Sequence, residues 1–206
     1  MRHYDVPADK LTVAPPGTDP APRGHGSGGP GCAIIAVGSI TPRKGHDRLV
    51  SALSLHRDLD WTLKIAGHDR DAETREALIE LIAMEGLEDR VTLTGPLSIG
   101  ELTAAYQQAD LFALASGFEG FGMAFAEAMA HGLPVVGLDS PAVAEATGGG
   151  ACLVSEGDLA MALGRLIARN ADRAALADRC WTAAQTLMRW PQTTNIICDV
   201  LRKATP

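Results

Sequence analysis

The stretch Gly31-Cys-Ala-Ile-Ile-Ala-Val-Gly38 decides how this chain folds. Its centre, Ala33–Val37, is apolar at every position, whereas a strand with one face in water alternates between apolar and polar residues. The pattern therefore predicts a strand that is buried on both faces of a parallel sheet. The flanking glycines mark the turns at its two ends.

Apolar runs and helical segments alternate along the rest of the chain. This alternation predicts an α/β fold with a doubly wound, parallel, six-stranded, Rossmann-like sheet. The five further strands are expected at Trp61–Ala66, Val91–Thr94, Asp110–Ala115, Pro134–Leu138 and Ala151–Val154. Helices are expected at Pro42–Leu55, at Arg70–Glu85, from the Ser98–Glu101 capping box to Gln108, and at Gly122–His131. The second of them is expected to face the core with Ala77, Leu78, Leu81 and Ile82. Two more helices are expected to begin at the N-caps Asp158 and Asp172, and a last one follows Pro191.

Composition excludes several classes of protein. The 206 residues are 46% hydrophobic and 21% charged, which is ordinary for a globular domain with a buried core. A formal charge of −7 argues against a general nucleic-acid surface. No apolar run reaches the roughly 18 residues that span a bilayer, so membrane contact is not indicated. The N-terminus lacks the apolar core of a signal peptide.

The cysteines point to a reducing compartment. Cys32, Cys152, Cys180 and Cys198 are far apart and form no CxxC pair, so we expect them to act as small hydrophobic residues. Together with the missing signal, this predicts a cytoplasmic protein. Three regions are expected along it: an extended Pro- and Gly-rich connector at 1–31, the α/β domain at 32–189, and a final amphipathic helix at 190–206.

The predicted sheet places two loops together. In the common strand order 3-2-1-4-5-6, strands one and four are neighbours, and ligands bind outside their carboxyl ends. The loops at those ends are Gly38–Gly45 and Ala115–Gly122. A ligand site is therefore expected between them.

The first loop carries a cationic segment, Thr41-Pro-Arg-Lys-Gly45. Thr41 and Pro42 suit the start of a helix, and two cations in a first helical turn oppose the helix dipole unless an anion binds there. A solvated basic turn is the plainer interpretation. The loop has neither the GK[ST] ending of a P-loop nor a GxGxxG pattern, so kinase-like, GTPase and ordinary NAD-binding functions are weakly supported.

The second loop leads into Glu119-Gly-Phe-Gly-Met-Ala-Phe-Ala-Glu127. One carboxylate lies on the loop and the other in the helix that follows, where it leans back toward the helix start. Two hydroxyl-binding carboxylates beside an anion site are what a nucleotide-sugar donor requires. Taken singly, Glu119 is an ordinary loop acid and Glu127 pairs with His131 four residues on. Phe121, Phe125 and Met129 are expected in the core.

Metal ligands are not indicated. Asp58-x-Asp60 and Asp69-x-Asp71 resemble a metal-binding DxD pattern, but both lie at predicted element boundaries, where Asp commonly caps helices and turns. The six histidines show no metal-ligand spacing.

These features together resemble the C-terminal, nucleotide-sugar-binding half of a GT-B glycosyltransferase, in the retaining family 4 (group 1). The matching segments are Pro15-Pro-Gly-Thr-Asp19, Gly38–Gly45, Val91-Thr-Leu-Thr-Gly95 and Glu119–Val136. They extend over most of the chain. The two glutamates with seven residues between them, followed by Gly132-Leu-Pro-Val-Val136, are the most specific part.

The resemblance implies roles for individual residues. Lys44 and Glu119 would be catalytic: Lys44 would bind the donor diphosphate, and Glu119 would contact the transferred sugar. Glu127 would hold the ribose hydroxyls, while the backbone amides of Gly120–Ala124 would cradle sugar and phosphate. The donor-binding residues implied are Gly38, Ser39, Arg43, Lys44, Gly120, Phe121, Gly122, Met123, Ala124 and Glu127.

The resemblance also implies a reaction and its partners. The donor would be a UDP-, GDP- or ADP-sugar, and a hexose-type sugar would be transferred with retention by front-face substitution, without a metal. Residues 1–31 would be the tail of a missing N-terminal acceptor domain, and residues 190–206 would form a helix that crosses back to it. The chain alone is therefore expected to bind a donor but not to transfer the sugar.

Two departures from the family pattern leave other functions open. Ser39 stands where the family often has Arg, with Arg43 as a possible replacement, and Asp139–Ala142 replaces a Gly-Gly pair, although Glu145 still matches. A non-catalytic nucleotide- or sugar-binding module is the main alternative. A two-carboxylate glycosidase is another, but it leaves the cationic loop unexplained.

Overall fold

Strand β1 lies at the centre of a parallel sheet, as its apolar sequence predicts. The structure is a computed structural model that describes Pro7 and residues 10–204. Within these residues the sheet has six strands in the order β3-β2-β1-β4-β5-β6, and every neighbouring pair is parallel. The predicted fold class and strand order are confirmed. The strands are β1 (Cys32–Val37), β2 (Trp61–Ala66), β3 (Val91–Gly95), β4 (Leu111–Leu114), β5 (Val135–Leu138) and β6 (Cys152–Val154).

Helices connect the strands and cover the sheet. α1 packs against α2 and α6, while α4 packs against α5 and α7. The Ser98–Glu101 capping box at the start of α3 is present as predicted. The helices are α1 (His46–Ser54), α2 (Ala72–Met84), α3 (Ile99–Gln108), α4 (Met123–Ala130), α5 (Pro141–Thr147), α6 (Leu159–Ala168), α7 (Asn170–Ala184) and α8 (Trp190–Ala204).

The first predicted helix, Pro42–Leu55, is wrong as one continuous element. Pro42–Lys44 form a 3₁₀ turn, and α1 begins only after Gly45, whose φ is +62°. A Cβ on Gly45 would lie 2.1 Å from the Ala115 carbonyl oxygen, so the loop after β4 lies against the backbone at this point. The cations therefore lie in the turn before α1 and not in its first turn.

Other boundaries also differ from the prediction. α2 buries Leu78 and Ile82 but leaves Ala77 exposed, because its core-facing stripe is narrower than expected. Asp158 lies at the N-cap position of α6 as predicted, but its side chain makes no capping hydrogen bond and accepts from Ser155 Oγ. Asp172 is not an N-cap: α7 begins at Asn170, and Asp172 pairs with Arg165 of α6. Helix α5 was not predicted.

The connector lies along the domain surface without forming a helix or strand over residues 11–31. Its backbone N–H groups donate to carbonyl groups of the domain, from Thr18 to Met188 at 2.8 Å and from Gly24 to His131 at 2.7 Å. Thr193 of α8 donates to the Pro15 carbonyl at 2.6 Å. The connector and the last helix are therefore held together.

Two surface properties complete the description. In α8, Ile197 and Val200 are 48% and 41% exposed, so an apolar face remains open to solvent. Across Pro7 and residues 10–204, no helix has both the length and the apolar character needed to cross a bilayer.

All four cysteines are free, with Cys32 and Cys180 buried as expected and Cys152 and Cys198 half-buried.

We predict that Gly45→Ala destabilises the domain by about 2 kcal/mol or more. The left-handed backbone disfavours a side chain by about 1–2 kcal/mol, and the clash with Ala115 adds to that cost. Gly100→Ala is the matched control, because its added methyl group meets no atom within 4 Å and Ala is the better helix former by up to about 1 kcal/mol. Urea unfolding measures the free energy of unfolding of both variants. Equal stabilities of the two variants would contradict the close contact between Gly45 and Ala115.

Candidate functional site

The candidate site forms where β1 and β4 end. These strands are parallel neighbours, with Ile34 opposite Leu111 and Ile35 opposite Phe112, so the loops that follow them leave the same edge of the sheet. The Gly117 N–H donates to the Arg43 carbonyl at 2.9 Å and joins the two loops. The loops predicted to meet are therefore in contact.

Lys44 and Glu119 form a buried ion pair across these loops. Lys44 Nζ donates to Glu119 Oε1 at 2.7 Å, and the side chains are only 13% and 7% exposed. Ser116 Oγ donates to the same oxygen at 2.7 Å. Glu119 is therefore not a free surface acid, because one of its oxygens already accepts two hydrogen bonds.

Arg43 adds a second, more open positive charge. Its Nη1 lies 3.7 Å from Glu119 Oε2 and donates to the Phe118 carbonyl at 3.1 Å, while the side chain is 48% exposed. The cluster of Arg43, Lys44 and Glu119 has one more positive than negative charge. Arg43 is thus free to contact an anion from the solvent side.

The start of α4 lies at the same edge of the sheet. Gly122 precedes the helix with φ +103°, and the first intrahelical hydrogen bond runs from Phe125 N to the Gly122 carbonyl. The N–H groups of Met123 and Ala124 come before that bond, which is where a helix attracts negative charge. Phe125 and Met129 are buried in the core as predicted, whereas Phe121 is half-buried.

Glu127 lies one turn further along α4. Its Oε2 accepts from Tyr106 Oη at 3.3 Å. Burial raises the pKa of Glu127 above the ordinary 4.5, the Tyr106 hydrogen bond opposes that shift, and the charge of Asp19 adds to it. The plainer interpretation of Glu127, a pair with His131, is not found among the described residues; His131 stacks on the Tyr106 ring at 5.0 Å instead.

The loop after β1 is held by a histidine that the sequence did not single out. His46 Nε2 lies 3.2 Å from the Gly38 carbonyl and must donate to it, since a carbonyl only accepts. His46 is buried, and burial lowers its pKa, so the ring is neutral near pH 7. Lys44 methylene groups lie 3.1 Å from the position of a Cβ on Gly38, so a side chain there would press against the Lys44 side chain. Ser39 follows in the same loop, half-buried.

Three site residues were missed by the sequence analysis. Ser116, Tyr106 and His46 act through contacts with Glu119, Glu127 and Gly38 that depend on the folded structure. Only Ser116 is close to its partner in the sequence, three residues before Glu119.

The two aspartates of Asp69-x-Asp71 make structural contacts. Asp71 caps α2 by accepting from the Thr74 N–H, and Asp69 pairs with Arg75 at 2.9 Å. No group of three or more His, Cys, Asp or Glu that could hold a metal occurs within the part of the chain that the structure describes. In segment 139–142, where the sequence departs from the family pattern, Ser140 caps α5. Glu145 is exposed on that helix.

The sequence matches a known family. The family model described as "Glycosyl transferases group 1" matches residues 31–172. A D-inositol 3-phosphate glycosyltransferase of Nocardia farcinica is 36% identical over 185 aligned residues, which cover 80% of this chain and 41% of the relative. A GDP-mannose-dependent alpha-(1-6)-phosphatidylinositol monomannoside mannosyltransferase of Mycobacterium tuberculosis is 33% identical, covering 95% of this chain and 57% of the relative.

A solved structure has the same fold. Anabaena Alr3699/HepE, crystallised in complex with UDP and glucose, superposes with a TM-score of 0.75 at 23% sequence identity. The superposition covers 84% of this chain and 48% of that one. The chain thus spans about half the length of the proteins that it matches.

We predict that Lys44→Met lowers stability by about 3 kcal/mol, because it leaves the buried Glu119 carboxylate without its cation. The double variant Lys44→Met/Glu119→Gln should recover most of that loss, since no uncompensated charge remains. Denaturant unfolding of the two single variants and the double variant measures the coupling. Lys203→Met, on the exposed end of α8, is the control. Additive losses would show that the pair is not coupled.

We predict that Glu127→Gln stabilises the domain at pH 7 and has little effect near pH 4. A carboxyl whose pKa is raised by folding contributes stability at low pH that is lost as the pH rises through the folded pKa. The stability difference between variant and wild type should therefore grow from about pH 4.5 upward and then level off. Glu88→Gln, at an exposed position between α2 and β3, controls for the loss of one negative charge. A constant difference across this range would exclude burial as the cause.

Proposed function

Because this chain belongs to the glycosyl transferases group 1, as the resemblance in its sequence indicates, we propose that it is the donor-binding half of a retaining hexosyltransferase. The observation that carries the proposal is the Lys44–Glu119 pair at 2.7 Å, buried at the edge of the sheet where α/β folds bind ligands. A buried cation beside a buried hydroxyl acceptor matches the two chemical halves of a sugar phosphate.

The diphosphate of the donor is proposed to bind at Lys44 and Arg43. When it does, Lys44 exchanges part of its contact with Glu119 for phosphate oxygens, and Arg43 approaches from the solvent side. The N–H groups of Met123 and Ala124 supply further donors. These groups neutralise the phosphate charge without a metal in this proposal.

The hydroxyl groups of the donor are proposed to bind the two glutamates. Glu119, partly released from Lys44, accepts from the transferred sugar while Ser116 still fixes one of its oxygens. Glu127 accepts from the ribose while the hydrogen bond from Tyr106 orients the Glu127 carboxylate. Gly38 and Gly120–Phe121–Gly122 let backbone approach the donor, with Ser39 beside them.

The proposed reaction is front-face substitution. The bond between the anomeric carbon and the leaving phosphate oxygen breaks while the acceptor oxygen attacks from the same face, so the configuration at that carbon is retained. Negative charge develops on the leaving diphosphate, and Lys44 stabilises it. No protein nucleophile takes part. The acceptor's proton passes to the departing phosphate.

The donor nucleotide and the acceptor are proposed from the relatives. One relative is named for GDP-mannose and one structure contains UDP and glucose, so the transferred sugar is proposed to be a hexose. The nucleotides to test are UDP, GDP and ADP. Since the matched proteins are about twice as long, the acceptor is proposed to bind a second, N-terminal domain. The chain alone is then proposed to hold the donor without completing transfer.

We predict that one class of nucleotide sugar stabilises the purified chain. Saturation to 100 times the dissociation constant should add about 2.7 kcal/mol to the free energy of unfolding. A thermal-shift panel of UDP-, GDP- and ADP-glucose and of GDP-mannose measures this. Lys44→Met/Glu119→Gln, which is expected to fold, should lose the shift, and Lys203→Met should keep it.

Two outcomes would contradict the proposal. If none of these donors stabilises the wild-type chain, the donor site is not intact. If the purified chain transfers sugar at rates typical of enzymes, about 1–1,000 per second, no second domain is needed.

A further inference from the structure

A cavity of about 380 Å³ opens beside Glu127, between the connector and helices α3 and α4. Gly17–Pro22 of the connector form one wall, and Tyr106, His131 and Trp190 contribute to the others. Small-molecule sites commonly have a volume of this order. From these walls, the function proposed above uses Glu127, its partner Tyr106 and the backbone N–H of Met123.

The charges of the cavity walls are of one sign. Asp19 faces it from the connector and Glu127 from α4, and the described residues that line it include no lysine or arginine. The charge of Asp19 helps to raise the pKa of Glu127, so the two acids are within electrostatic reach of each other. Such walls repel a diphosphate but accept hydrogen bonds from neutral hydroxyl groups. The cavity therefore suits the uncharged, hydroxyl-bearing part of a nucleotide.

The backbone beside Asp19 is fixed, although its carboxylate is open. Thr18 is 5% exposed, and its N–H donates to the Met188 carbonyl at 2.8 Å. Arg189 Nη1 donates to the Thr18 carbonyl at 3.0 Å. Asp19 is exposed to the cavity. His131 also lines the cavity, and its buried Nδ1 has no hydrogen-bond partner among the described residues.

We propose that Asp19 is a second hydroxyl-binding carboxylate of the donor site, and that Asp19 and Glu127 together bind the two ribose hydroxyls of the nucleotide. The inference rests on the proposed function, because the diphosphate must lie at Lys44 for the ribose to reach this cavity. It gives the connector a share in donor binding.

The test compares nucleoside diphosphates with their 2′-deoxy forms. Calorimetry with the 206-residue chain first identifies which of UDP, GDP and ADP binds, and then measures the matching 2′-deoxy diphosphate. Wild type should prefer the ribose form by about tenfold or more, as expected for a hydrogen bond to a charged group. Asp19→Asn should weaken binding of the ribose form by about tenfold and bring the ratio of the two affinities toward one.

The direction in which the affinity of Asp19→Asn changes distinguishes a carboxylate that binds a hydroxyl from one that only lies near the nucleotide. Removing a carboxylate that only lies nearby leaves the binding of an anionic nucleotide unchanged or strengthens it. Asp89→Asn, at an exposed position between α2 and β3, is the matched control and should not weaken binding. Asp19→Ser is the second variant, used if Asp19→Asn melts below wild type.

Two further results would overturn the inference, and they are distinguishable. An unchanged or stronger affinity of Asp19→Asn for the ribose form, with the wild-type ratio kept, removes Asp19 from the site and leaves the proposed function standing. A wild-type chain that binds none of the three diphosphates removes the proposed function together with the inference.

Discussion

The contact between the loops that follow β1 and β4 is the constraint on which the site depends. The two strands are parallel neighbours, so their carboxyl ends lie at one edge of the sheet, and Gly45 lies against the Ala115 carbonyl. Because Gly45 has no side chain, the two loops can approach each other closely, and Lys44 on one loop pairs with Glu119 on the other. A residue with no chemistry of its own therefore sets the geometry of the charged residues.

Helix α4 connects the charged part of the site with the cavity. Its start lies beside the loops that hold Lys44 and Glu119, and Glu127 lies one turn later at the cavity wall. A turn of helix advances about 5.4 Å along the axis. In the proposed function, one short helix thus fixes the distance between the groups that bind the phosphate and the groups that bind the ribose. The Ala-rich sequence of that helix lets other elements pack closely around it.

Much of the fold, and part of the site, follow from the sequence. Ala33–Val37 predicts a central strand because a fully apolar run must be covered on both faces, and the alternation of elements then limits the strand order. The break at Gly45 was not predictable, because its cause is a contact with Ala115, a residue 70 positions away in the chain. Tyr106 was missed for the same reason: its partner Glu127 lies on a different helix. Asp172 shows a third cause, since α7 already begins at Asn170 and Asp172 therefore lies inside its first turn.

The Lys44–Glu119 pair has a consequence for selectivity. In the absence of a ligand, each partner satisfies the other in a poorly hydrated place, so separating them costs free energy. A free phosphate can compensate only the lysine, and a neutral sugar can compensate only the glutamate. A molecule that carries both groups at the right spacing compensates both at once. In the proposed function, the pair therefore favours a ligand that carries both groups over one that carries only the phosphate or only the sugar.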